Sequence, residues 1–215
     1  MKENKKIILG IILVLLIVAV SPLITEIFEK QLSFTQVLIL SRLWQWTGLL
    51  LLFFYCRKIL KEKIIIWKSE QQGILFYLLS VIAILATLFG MMVLIHLLHL
   101  PKENSPKLLQ MLNAVKNNIP LIFLITLTAG VVEELFFRAF LQTRITTLTK
   151  SKLLGIFIST LIFALAHYAY GTWINMIGPF VIGLVFAVYY SKYRNIGVLI
   201  FIHFIWDFYA LYTAA

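Results

Sequence analysis

Long apolar runs alternate with short charged clusters along this chain, on the length scale of a lipid bilayer. Ile7 to Thr25 is 19 residues without a charged side chain, preceded by Lys2, Lys5 and Lys6. A hydrocarbon core about 30 Å thick is crossed by about 20 helical residues, so this run predicts a first span. It is long for a signal peptide and has no small-x-small cleavage site, which favours its retention. A second span is predicted over Phe34 to Tyr55 and a third over Gly73 to Leu100, stopped by Pro101. The fourth covers Ile119 to Gln142. Leu153 to Ser191 holds 39 residues with no Asp, Glu, Lys or Arg, too many for one helix. The turn-forming stretch Tyr168 to Trp173 divides it into a fifth span, Leu153 to Tyr168, and a sixth, Ile174 to Tyr190. A seventh follows over Ile196 to Tyr212. The expected fold is therefore all-α, a polytopic transmembrane helix bundle of about seven spans. The loop from Lys102 to Asn118 predicts a short helix on the outer surface. The loop from Arg57 to Lys68 mixes Lys with Ile and Trp, as interfacial segments near anionic lipid do.

Composition sharpens this reading. Hydrophobic residues make up 61% of the chain and charged ones 13%, about half the share of ordinary soluble domains. A soluble globule cannot hide that much apolar surface. The single cysteine, Cys56, excludes a disulfide scaffold and reads as an inert thiol. A net charge of +10 raises nucleic acid as a partner. However, the cations sit in clusters between apolar runs, and no nucleic-acid motif is present, so no nucleic acid is expected. With the N-terminus in the cytoplasm, 13 of the 19 basic residues fall inside and four outside. This positive-inside bias predicts an integral membrane protein with N-in, C-out topology. The Lys- and Ile-rich composition suggests a bacterial plasma membrane.

Ionisable side chains inside spans cost about 2.5–3.5 kcal/mol each on insertion scales and mark functional sites. Here they gather in spans four, five and seven, as Glu133, Glu134, Arg138, His167, His203 and Asp207. The first three spans hold only Arg42, which reads as a snorkelling anchor, and the terminal pair His96 and His99. Glu134 and Arg138 are four apart and can pair on one helix face. Glu133 lies about 100° round an α-helix from Glu134 and lacks that partner. His203 with Asp207, and Phe163 with His167, repeat the four-residue interval. At 1.5 Å per residue, Glu133 lies about 16 Å from Arg144, His203 about 14 Å from Arg194 and His167 about 22 Å from Lys152. These depths allow one cluster near the bilayer centre. A carboxylate in an apolar pocket can act as a general base, and imidazoles beside it can share a water or donate to an oxyanion. No serine or cysteine stands at a convincing nucleophile position, so water is the expected nucleophile.

The set Glu133-Glu134-x-x-x-Arg138, Phe163-x-x-x-His167 and His203-x-x-x-Asp207 resembles the CPBP family. These are the CAAX-protease and bacteriocin-processing intramembrane proteases, including Abi-type immunity proteins. The resemblance covers Ile119 to Phe208 and divides the chain into N-terminal spans over 1–118 and a catalytic core over 119–215. It implies an endopeptidase that cleaves membrane-embedded or lipidated peptides or proteins, with a role in bacteriocin self-immunity or processing. It implies catalytic roles for Glu133, His167, His203 and Asp207. Glu133 would activate water with His167 as its partner, and His203 and Asp207 would line the oxyanion side. Glu134, Arg138 and Phe163 would support them. Relatives also carry Asn at the position of Asp207, and an ionised Asp cannot donate a hydrogen bond, so Asp207 would be protonated or would orient His203. No cofactor is favoured. The alternative is a zinc ion on Glu133, His167, His203 and Asp207. Two other functions stay open from sequence, a non-catalytic bacteriocin immunity or interaction protein and a proton relay or transporter.

Overall fold

The computed structural model describes residues 2–69, 72–99, 105–170 and 174–214. Every regular element among them is helical. Helix α1 spans Lys2–Phe28 and α2 Phe34–Leu60. They form an antiparallel hairpin whose turn is fixed by Ser33. Its hydroxyl accepts from the Gln36 N–H, while the Gln36 side chain accepts from the Ser33 N–H, a reciprocal cap. Helix α3 spans Ile74–Leu97, and the short α4 spans Pro106–Val115, capped by Ser105 with Pro106 in its first turn. Helix α5 runs over Ile119–Thr149, α6 over Lys152–Ala166, α7 over Ile177–Tyr193 and α8 over Ile196–Ala214.

Five of these helices (α1, α2, α3, α5 and α8) are long and apolar enough to cross a membrane, and α6 and α7 are shorter apolar helices. The polytopic bundle expected from sequence is thus present, with all seven apolar segments in order. The expected surface helix in the loop before Asn118 is α4. Pro101, Lys102 and the Gly171–Trp173 part of the predicted turn lie outside the described residues. Large apolar side chains such as Leu9 and Leu16 of α1, Leu43 and Leu50 of α2, and Leu75, Leu79 and Ile82 of α3 are exposed. That outward apolar surface is what a bundle solvated by lipid presents.

Helix α5 is the most buried of the long helices and forms the axis of the molecule. Its central stretch, Ala129–Gln142, is π-helical, with wider turns closed by i→i+5 hydrogen bonds. Two glycines set how closely other helices approach the ionisable residues. A Cβ on Gly130 would lie 2.9 Å from the Ile200 carbonyl oxygen, so α8 meets α5 backbone to backbone. A Cβ on Gly183 would lie 2.9 Å from the Phe163 ring, so α7 packs flush against α6. Gly183 therefore acts as the close-approach point that its place in the sixth apolar run suggests.

Two boundaries differ from the sequence reading: α2 continues past Tyr55 to Leu60, and α5, the fourth apolar span, continues past Gln142 to Thr149. Arg144, counted among the inside-loop cations, is instead fully buried within it. Its guanidinium pairs with Glu62 at 3.0 Å, donates to the Lys63 carbonyl at 3.0 Å and sits 5.1 Å from the Phe140 ring centre. A counter-charge and an aromatic face offset its desolvation. The same contacts fold the segment after α2 onto the bundle. Ile64 is buried there, and Trp67 stacks on Tyr190 at 5.4 Å.

Candidate active site

Helices α5 and α8 bring Glu133, Glu134, Arg138, His203 and Asp207 together, and His167, directly after α6, borders the same cavities as Glu133. Glu134 and Arg138 lie one turn apart on α5, with side chains 0% and 1% exposed, and pair at 3.0 Å. The Arg138 guanidinium stacks over the Phe163 ring, 4.2 Å from its centre, and Phe186 of α7 closes its other side at 5.6 Å. Phe163 is thereby a platform for the buried cation, which explains its place one turn before His167.

His203 of α8 is also buried, and three carboxylates surround it. Its Nδ1 lies 2.8 Å from Glu134 Oε1, which accepts its hydrogen bond. Its Nε2 is 3.4 Å from Asp207 Oδ2 and 4.0 Å from Glu133 Oε2. The His203–Asp207 contact is the one that their i, i+4 spacing predicts. The Glu134–His203 bond joins residues 69 apart in sequence, and no local spacing reveals it. Glu134 is therefore shared by Arg138 and His203. Both consecutive glutamates reach His203, which an α-helix with successive residues 100° apart would not readily allow. A π turn holds more residues, so neighbouring side chains diverge less.

Glu133 differs from Glu134 in its surroundings. Its side chain is 16% exposed, and its buried Oε2 has no hydrogen-bond partner among the described residues. It lines two cavities. One, of about 200 Å³, is bounded by Ala129, Phe163, His167, Pro179, His203 and Asp207, among others. The other opens between α1, α2 and α4 and is lined by Ile17, Val18, Leu38, Met111 and Phe137. His167 borders both. Its Nδ1 donates to the Phe163 carbonyl at 2.8 Å, so in the neutral ring the lone pair is on Nε2. Arg42 also lines both cavities.

Among the described residues no group of three His, Cys, Asp or Glu side chains is arranged to hold a metal ion. Glu134 already occupies His203 Nδ1, and Asp207 and Glu133 approach the same Nε2. A tetrahedral site needs these lone pairs to converge on one point.

Residues 115–209 match the family model described as Type II CAAX prenyl endopeptidase Rce1-like. The matched region, less than half of the chain, contains all three motifs. At the level of the family, the match supports an intramembrane endopeptidase acting on membrane-associated or prenylated proteins. No curated protein and no solved structure matches the chain.

Proposed function

Because the region matching the Rce1-like CAAX prenyl endopeptidases is also the one that holds the buried ionisable cluster, we propose that this protein hydrolyses a peptide bond of a membrane-associated substrate, with Glu133 activating the attacking water. The observation that carries this reading is the contrast between two adjacent carboxylates. Glu134 is fully buried and committed to Arg138 and His203, whereas Glu133 Oε2 accepts no hydrogen bond among the described residues, lies 4.0 Å from His203 Nε2 and faces two cavities.

The chemistry follows from which atoms can give and take protons. Water in the cavity gives a proton to Glu133 as its oxygen adds to the scissile carbonyl. His167, whose Nδ1 proton is held by the Phe163 carbonyl, presents Nε2 to the same water and orients it. The carbonyl oxygen becomes an oxyanion that needs a donor. His203 can supply one only if Nε2 carries a proton. With Nδ1–H given to Glu134, a ring that donates from Nε2 is an imidazolium. Glu134 and Asp207 balance that charge. In this scheme Asp207, 3.4 Å from Nε2, holds the imidazolium by its charge and leaves Nε2–H to the oxyanion, so it need not donate a hydrogen bond. Collapse of the tetrahedral intermediate breaks the C–N bond, and the proton held by Glu133 passes to the leaving amine.

No step requires a metal. Metal analysis of the purified, active protein is expected to find no stoichiometric zinc, and one tightly bound zinc per active chain would replace this mechanism. The cleaved substrate is a prenylated or otherwise membrane-anchored peptide. The family match speaks to peptide cleavage and carries no argument for a bacteriocin role. The test is cleavage of a farnesylated Cys-aliphatic-aliphatic-X peptide by purified protein in detergent, with products mapped by mass spectrometry. Wild type releases a C-terminal fragment, and Glu133→Ala inserts and folds but releases none. Fragment release by Glu133→Ala at the wild-type rate would eliminate the mechanism.

A further inference from the structure

The proposed chemistry leaves one interior cation without a task. Arg42 lies eight residues into α2, about 12 Å along the helix from Phe34. It lines both cavities together with Glu133 and His167. Its Nη1 donates to Gln45 Oε1 at 3.0 Å, while its buried Nε has no hydrogen-bond partner. Elsewhere in the described structure Arg138 pairs with Glu134, Arg144 with Glu62, and Lys107, which lines the cavity between α1, α2 and α4, with Glu26 at 3.6 Å. Among the described residues Arg42 has no such partner. Gln45 positions the guanidinium but balances none of its charge, and a partly buried cation with no carboxylate in contact carries a desolvation cost. An anion entering the cavity removes that cost.

We infer that Arg42, held by Gln45, binds the C-terminal carboxylate of the peptide whose bond Glu133 attacks. This inference rests on the endopeptidase reading. A guanidinium presents a planar fork that matches a carboxylate in two parallel hydrogen bonds. The cavity between α1, α2 and α4 has Ile17, Val18, Leu38 and Met111 in its lining beside Ser21 and Ser41, and these four suit apolar side chains near a chain end. The one charge that such a segment must carry is its terminal carboxylate. A lipid phosphate offers similar chemistry, but it would have to descend about 12 Å below the end of α2 to reach Arg42. A fixed anchor for the chain end makes the enzyme measure the scissile bond from the free C-terminus.

The test uses a farnesylated peptide ending in Cys-Val-Ile-Ala, prepared as the free acid and as the C-terminal amide, in neutral detergent. Binding is measured on the Glu133→Gln protein, and turnover on the protein with Glu133 intact. The free acid is expected to bind at least tenfold tighter than the amide and to be cleaved with at least tenfold higher kcat/KM, chiefly through KM. Arg42→Gln brings both ratios close to one, and Arg42→Lys restores part of them. Equal binding of acid and amide, or a ratio that survives Arg42→Gln, overturns the subsite. So does a ratio of one accompanied by Arg42-dependent saturation with phosphatidylglycerol, which would assign the site to lipid. Cleavage that ignores the chain end removes the subsite and leaves the endopeptidase reading intact. Arg42-dependent, acid-selective binding without any cleavage does the reverse. If Arg42→Gln fails to fold, Gln45→Leu, which frees the guanidinium from its support, is expected to lower the ratio. An unchanged ratio in that variant counts against the proposal.

Discussion

At the scale of single residues, burial and partners separate groups that the sequence presents side by side. Glu134 is locked between Arg138 and His203, and Arg138 lies between two aromatic rings. Arg138→Ala leaves the Glu134 charge without its guanidinium. It is expected to destabilise the protein by about 3–5 kcal/mol, measured by denaturant unfolding in detergent. Arg138→Lys recovers only part of this, since an ammonium cannot reproduce the stacked plane over Phe163. A loss below 1 kcal/mol for Arg138→Ala would show that the pair does not support the cluster. The local pairs are legible in the sequence, because i, i+4 spacing inside an apolar run puts two ionisable groups on one helix face, where each offsets the cost of burying the other. The Glu134–His203 bond is not legible, because it depends on how α8 lies against α5. Nor is the place of Arg42, because a lone cation near a span end usually snorkels, and only the fold shows that it lines a cavity.

Helices as units hold the cluster through their contact surfaces. Gly183 on α7 faces Phe163 with no room for a larger side chain. Gly183→Val is expected to push Phe163 off Arg138, costing about 1–3 kcal/mol as overpacking in a tight core does. Turnover should fall along with thermal stability, although Gly183 touches no reacting atom. Unchanged melting and turnover would mean that α6 and α7 have more freedom than their packing indicates. Element positions followed from the apolar runs, since a bilayer demands helices of defined length. The end of α5 did not. A polar stretch with an arginine reads as a loop, yet the Glu62 partner and the Phe140 face let Arg144 stay helical and buried. The π-helical stretch was equally invisible, since residue periodicity over so few turns does not distinguish it from an α-helix.

For the molecule as a whole, the distribution of charge predicts orientation. Among the inside cations whose burial is described, only Arg144 is buried. A reporter that folds only in the cytoplasm is expected to be silent when fused after Ala215 and active in the loop between α2 and α3. An active C-terminal fusion would change the number of crossings by one. The central claim, that one of two neighbouring glutamates reacts while the other holds the structure, is tested most directly by comparing Glu133→Gln and Glu134→Gln for turnover and melting temperature. Loss of a general base lowers rates by about 10²–10⁴. Glu133→Gln is therefore expected to lose that much turnover and to melt within a few degrees of wild type, whereas Glu134→Gln melts markedly lower. A Glu133→Gln protein that turns over normally, or two variants indistinguishable in both measurements, would contradict the account.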